Sequence, residues 1–345
     1  MKLAFVEQKA PDFATIERLL AAPAAQNKWS NRGPLYSGLR QCLSDHVARP
    51  AGTALVPLAN GGMALEAMAR LLSHRAGRKL RWVASSFSFR NIGRGYFHDV
   101  TLLDCDDRGL LDLDQCAALD GGDHDGIIVT NPFGLFADFS AYADLARRTG
   151  KHLLIDNAAG LNTTVADWPW QAFSLHHTKP YGVGEGGLAL VPDELAEDLF
   201  ALLDYGEGHA GSSHWLQNGK LSEIACAFHL DRLLRADDWA PRYLAQRRRL
   251  LEIACDHGFV PLAVPDSDIP ITAMPLRAPH ALDDEAIGRT AYLTVAKYYQ
   301  PLRDLPRVTA LFSRLVNVTC HPDLARLTDD QIAEDLRLLS VRRTS

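Results

Sequence analysis

Between residues 80 and 191, short and almost wholly apolar segments alternate with stretches of helical periodicity, and few architectures other than α/β accommodate that alternation. Segments 80–84, 100–103, 126–130, 152–155 and 188–191 read as strands. Near-continuous apolar runs of this length are the mark of strands covered on both faces, so the sheet should be mostly parallel. Helical spacing at 62–72 and 139–148, and again from Asp193, supplies the covering layers. Upstream, 12–20 reads as a short helix, Asn31-Arg32-Gly33-Pro34 as a turn, and 35–47 as a second helix. Longer helices follow at 222–234 and 241–257. Beyond about residue 261 prolines recur (Pro261, Pro265, Pro270, Pro275, Pro279), and strands at 272–276 and 315–319 are separated by helical stretches. The expectation is a large α/β domain over 1–235 and a small α+β domain over 236–345, a division that 345 residues readily support.

Composition excludes several classes of partner. The net charge is −6 and the pI near 6.1. Arg247-Arg248-Arg249 is the longest basic run and sits in a helical pattern, as a solvated face would, so no nucleic-acid partner is expected. No run of ~18 apolar residues is present, and no membrane partner is expected. The start, Met1-Lys2-Leu3-Ala4-Phe5-Val6-Glu7, turns polar too early for a secretory signal. Six cysteines without a Cys-x-x-Cys pair suit buried thiols in a reducing compartment. The expected location is the cytoplasm, and no metal site is read.

The chemistry concentrates in Phe173-Ser174-Leu175-His176-His177-Thr178-Lys179-Pro180-Tyr181-Gly182-Val183-Gly184-Glu185-Gly186-Gly187. A dinucleotide fingerprint needs strand, glycine turn, then helix, whereas these glycines lead into a strand. A P-loop is excluded because the lysine precedes the glycines. A lysine amine beside a serine hydroxyl and open backbone amides does suit pyridoxal 5′-phosphate (PLP), which requires an amine to hold it and donors for its phosphate. Asp156 follows the apolar strand 152–155 directly, at the carboxyl end where open α/β sheets bind ligands. A carboxylate there would keep the cofactor's ring nitrogen protonated; an N-cap or turn aspartate is the structural alternative. Asn60-Gly61-Gly62 opens an amphipathic helix whose first amides could meet a phosphate, or could form only a turn.

Taken in order, these segments resemble the DegT/DnrJ/EryC1/StrS family of sugar aminotransferases. The resemblance rests on Asn31-Arg32-Gly33-Pro34, the helix start at Asn60, Ser86-Phe87-Ser88-Phe89, Asp156-Asn157-Ala158-Ala159, the segment from Ser174 to Gly187, Gln217-Asn218-Gly219-Lys220-Leu221-Ser222-Glu223-Ile224, Lys297-Tyr298-Tyr299-Gln300-Pro301-Leu302, and Val318-Thr319-Cys320-His321-Pro322. It implies an aspartate-aminotransferase-like α/β fold (PLP fold type I), with Lys179 and Asp156 as catalytic residues. Gly61, Gly62, Phe89, Asp156, Ser174 and Lys179 would hold the cofactor, joined by Asn218 from the other subunit of a homodimer with shared active sites. Tyr299 would lie near the substrate, and His176, His177 and His321 would be substrate contacts or else structural or exposed histidines. The implied reaction moves an amino group from glutamate or a similar donor to a keto-sugar nucleotide or related carbonyl compound. Two departures stand out: Gly62 replaces the family's usual Thr, and Ala159 its usual Gln or His. Aligning on the two alanines would instead put Asn157 at the acid's position, but an amide cannot supply the charge. A sugar dehydratase of the same family usually has His where Lys179 stands. A scaffold protein that lost turnover is the other alternative.

Overall fold

The computed structural model describes residues 2–119, 122–205, 213–265 and 268–342. Seven strands form the larger sheet: β1 (Thr53–Leu58), β2 (Trp82–Ser85), β3 (Thr101–Leu103), β4 (Gly126–Thr130), β5 (His152–Asp156), β6 (Gln171–Ser174) and β7 (Gly187–Pro192). Their order is β1-β7-β6-β5-β4-β2-β3. The strands from β3 through β6 are parallel to their neighbours, while β7 is antiparallel to both β6 and β1. Both faces are covered. Ile128 and Leu154 enter one apolar core; Ile127, Val129, Leu153 and Ile155 enter the other. That is the physical content of the uninterrupted apolar runs in the sequence.

Two strands of this sheet were not legible in the sequence. β1 contains Pro57, which has no N–H for a ladder and argues against a central strand. The sheet tolerates it because β1 lies at the edge and pairs only with β7. β6 is four residues long with Gln171 and Ser174 at its ends. The Gln171 amide is buried but satisfied, donating to the carbonyls of Ala166 and Trp168 and accepting from Asn157.

A second sheet comprises β8 (Val260–Pro261), β9 (Ala273–Arg277), β10 (Val295–Ala296) and β11 (Leu315–Thr319), in the order β10-β11-β9-β8 and antiparallel throughout. Its Met274, Leu276, Val316 and Val318 share a core with one face of the first sheet. The first residues join it too, since Leu3 bridges Leu293. The long helix Ala236–Asp256 starts earlier than its Pro241 suggested, with Asp237 and Asp238 suiting the positive end of its dipole. No helix among the described residues is long and apolar enough to cross a membrane.

Two distant sequence motifs explain each other. Asn31 and Arg32 adopt left-handed backbone (φ 59° and 56°) and lead into the helix Pro34–His46. The first amides of that helix, Leu35 N and Tyr36 N, donate to the Glu223 carboxylate at 2.6 and 3.2 Å. Glu223 is fully buried, and a Cβ on residue 33 would lie 2.6 Å from its carboxyl carbon, so Gly33 is required. Replacing Glu223 with Ala strands two buried amides and should cost about 2–4 kcal/mol. Thermal unfolding should register a drop of several degrees; an unchanged Tm would remove the capping role.

Candidate active site

The carboxyl ends of β5, β6 and β1 meet the amino end of β7 at one edge, because Asp156 pairs with Ala172, Ser174 with Gly187, and Leu58 with Gly187. Asp156 is the last residue of β5 and is 5% exposed. Its carboxylate accepts one long hydrogen bond, from Ala158 N at 3.3 Å. Burial pushes it up to about 6, against the opposing pull of that amide and of the Lys179 charge. The neighbouring Asn157 is committed elsewhere. Its Oδ1 accepts from Asn131 at 2.8 Å and its Nδ2 donates to Gln171 at 3.0 Å, forming a buried chain of amides. The acid facing Lys179 is therefore Asp156.

Lys179 lies in the connection between β6 and β7. The strands are pinned together above it by Leu175 N donating to Gly186 O and His177 N to Gly184 O. Desolvation draws its ammonium below the ordinary value, with the Asp156 carboxylate pushing back. The helix Gly61–Arg75 starts against the same edge. A Cβ on Gly61 would lie 3.0 Å from both Phe173 O and Ser174 Cβ, and one on Gly187 would lie 2.5 Å from Gly61 N. These two glycines let the helix start sit on Ser174. Asn60 caps Met63 N at 2.8 Å, which leaves the amides of Gly61 and Gly62 open among the described residues. Asn91 sits beside them: its Nδ2 lies 3.8 Å from where a Cβ on residue 62 would be, and its buried Oδ1 has no partner among the described residues. The sequence carried no signal for Asn91, one asparagine in a polar loop.

Phe87 is fully buried against the rings of Phe133 and Tyr299, at 6.2 and 5.3 Å. That leaves Phe89, 58% exposed, as the free aromatic of its segment. The segment is tied to the chain near Tyr299, since Ser86 Oγ accepts from Arg303 N at 2.8 Å. Tyr299 and Phe133 stack edge to face at 4.7 Å, and both hold left-handed backbone (φ 60° and 58°), strain of the kind that gathers at functional sites. Burial and the Asp156 charge push the Tyr299 phenol upward.

The histidines divide. His176 is held by Thr178 Oγ1 at 2.9 Å and faces Glu185 at 3.3 Å; His177 is exposed beside it, ring centres 4.2 Å apart. His321 has no exposed surface, and its Nε2 faces Ala4 O at 3.0 Å. In this position His321 anchors the N-terminal segment. Asn218 is exposed, and its neighbour Gly219 packs on Met63 in the first turn of the helix Gly61–Arg75. An amine opposed to a carboxylate, two open helix amides, a hydroxyl and a free aromatic are the donors and charges PLP requires, and the side chains present fit it.

A mixed sheet carrying these groups at one edge defines an α/β protein of the aminotransferase fold. The chain belongs to the DegT/DnrJ/EryC1/StrS aminotransferase family, whose model matches residues 15–258. Protein Rv3402c of Mycobacterium tuberculosis is 31% identical over 277 residues. That match covers 73% of this chain but 64% of the relative, so the chain spans less than two thirds of the length of the curated proteins it matches. Among solved structures, PseC of Helicobacter pylori, an aminotransferase involved in the biosynthesis of pseudoaminic acid, has a TM-score of 0.81 at 15% identity and covers 99% of both chains. DesI, solved in the presence of its TDP-sugar product, has a TM-score of 0.75 at 22% identity, covering 96% of this chain and 90% of its own. At such identities the shared property is the fold.

Proposed function

We propose that this chain is a PLP-dependent aminotransferase that moves an amino group from glutamate or a similar donor to a keto-sugar nucleotide or related carbonyl compound. The observation that carries the reading is the opposition of Lys179 and Asp156, both desolvated, beside the open start of the helix Gly61–Arg75. Family membership supports the reaction class. The TDP-sugar product of DesI and the role of PseC support a sugar carbonyl as acceptor.

Bound PLP supplies an aldehyde that takes up amines and a ring that withdraws electrons from the amine-bearing carbon. Lys179 would hold it and, once released, take the proton from that carbon; its lowered pKa favours the neutral amine this requires. Asp156 would hold the ring-nitrogen proton, and a cation beside it would return the carboxyl to its charged form. Ser174 Oγ and the amides of Gly61 and Gly62 would hold the phosphate. Asn91, whose Nδ2 lies 3.8 Å from where a Cβ on residue 62 would be, would supply a donor in place of the missing hydroxyl. Phe89 would cover one ring face, while His176, His177 and Tyr299 would meet the substrate. Asn218 would reach the phosphate of a partner subunit in a homodimer. Water-soluble, charged substrates of this kind suit a cytoplasmic enzyme.

Reconstituted protein should carry a visible absorbance band that glutamate bleaches and 2-oxoglutarate restores. No band, or a band that glutamate and other amino acids leave unchanged, would overturn the reading. A panel of keto-sugar nucleotides would then identify the acceptor.

A further inference from the structure

We infer that Lys9, in the N-terminal segment, is a positioning residue that sets the backbone of the Lys179 loop. Lys9 Nζ lies within hydrogen-bond distance of three carbonyls of one loop, His177 O at 2.7 Å, Lys179 O at 2.5 Å and Gly182 O at 2.5 Å. Burial and the Arg232 charge draw it down to about 7, and as the ammonium it has a donor for each of the three. The loop turns twice around it, with Lys179 N donating to His176 O and Gly182 N to Lys179 O. A Cβ on Gly182 would fall 2.1 Å from His176 O, so the coil is wound too tightly for any other residue there. With its carbonyls drawn to Lys9, the loop has no regular ladder of its own at Lys179.

The flanking carbonyls are taken in the same way by other elements. Thr272 Oγ1 donates to Thr178 O at 2.7 Å, Arg232 Nε to Pro180 O at 2.9 Å, and His229 Nε2 lies 3.0 Å from Glu185 O. Lys9 is itself fixed on both sides. Glu7 accepts from Arg232 at 2.9 Å and from Tyr243 OH at 2.7 Å, and Arg235 donates to Ala10 O at 3.1 Å. The N-terminal segment therefore works as a clamp whose point of contact is the backbone of the cofactor lysine. Misplacing a reacting group by about 1 Å can cost on the order of 100-fold, and Lys9 is the one side chain in this set bonded to the Lys179 carbonyl.

The inference rests on Lys179 as the cofactor lysine, and the test separates the two. Lys9→Met keeps the stem and removes the donors. In the apoprotein, amide hydrogen exchange across 176–186 should quicken by about tenfold or more, as loss of a hydrogen bond worth roughly 1.4 kcal/mol implies. PLP affinity should fall by a similar factor, the pH midpoint of the visible band should move, and Lys9→Arg should restore most of both. Should Lys9→Met fail to fold, Lys9→Gln, with two donors, carries the same measurements. Unchanged exchange in the loop and unchanged PLP affinity, with only the N-terminal segment loosened, would reduce Lys9 to an anchor and overturn the inference. Failure of the wild-type protein to bind PLP would sink the functional reading, while the exchange comparison would still decide on Lys9.

Discussion

Lys179→Ala should all but abolish turnover, by up to about four orders of magnitude, the upper end of the scale on which positioned acid–base groups act. PLP should still enter, held by the amides of Gly61 and Gly62 and by Ser174, but borohydride should no longer fix it to the chain. In the wild type, mass spectrometry after reduction should find the pyridoxyl group on Lys179. Labelling of any other lysine would sink the assignment. The same variant tests the proposed dimer. Mixed with a severely impaired Asn218 variant, it should form heterodimers in which one site carries both lesions and the other neither, and activity should return. No recovery, or a monomer by light scattering at working concentration, would count against shared sites.

Asp156→Asn is the second large effect, and it should act in opposite directions on activity and stability. Loss of the charge opposite the ring nitrogen should lower kcat by about 100- to 1,000-fold, the cost typical of removing one preorganised electrostatic partner. The apoprotein should become more stable. Burial raises the Asp156 carboxyl from 3.8 to about 6, so the folded state binds its proton more tightly than the unfolded chain does. The stability this contributes is fully present below about pH 4 and is lost as pH rises through about 6. Above that, wild-type protein keeps a desolvated charge costing on the order of 3 kcal/mol, which the amide lacks. Thermal unfolding of the two apoproteins should diverge at pH 8, with the variant higher, and converge towards pH 4. Equal Tm values at pH 8 would refute the burial argument. Asn157→Ala is the control: its amide joins Asn131 to Gln171, so it should cost stability and leave the chemistry intact.

Much of this architecture was legible along the chain. The apolar segments at 126–130 and 152–155 became β4 and β5 because their side chains pack on both faces, a property local composition reports directly. Asp156 and Gly61 were legible because each sits at the end of an element that the sequence announces, and Lys179 and Ser174 because they stand together in one segment that runs into a cluster of glycines. β1 and β6 were not: one carries an edge proline and the other a satisfied buried glutamine, and both are tolerated only by their surroundings. The roles of Gly33 and Glu223 were visible as motifs, but not as parts of one cap.

By itself, then, the sequence determined the alternation of elements, the covered sheet, the acid at the end of β5 and the amine in the glycine-rich segment that follows Ser174. Those features are written in runs of a few residues, where periodicity and punctuation act. Tertiary structure alone decided which groups meet. It withdrew His321 into the interior against Ala4, committed Asn157 to an amide chain, brought Asn91 beside Gly62, and set Lys9 against a carbonyl 170 residues away. The His321, Asn157 and Lys9 contacts depend on polar groups finding partners across the fold, and a donor's partner at that separation is chosen by packing, with no trace in the residues beside it.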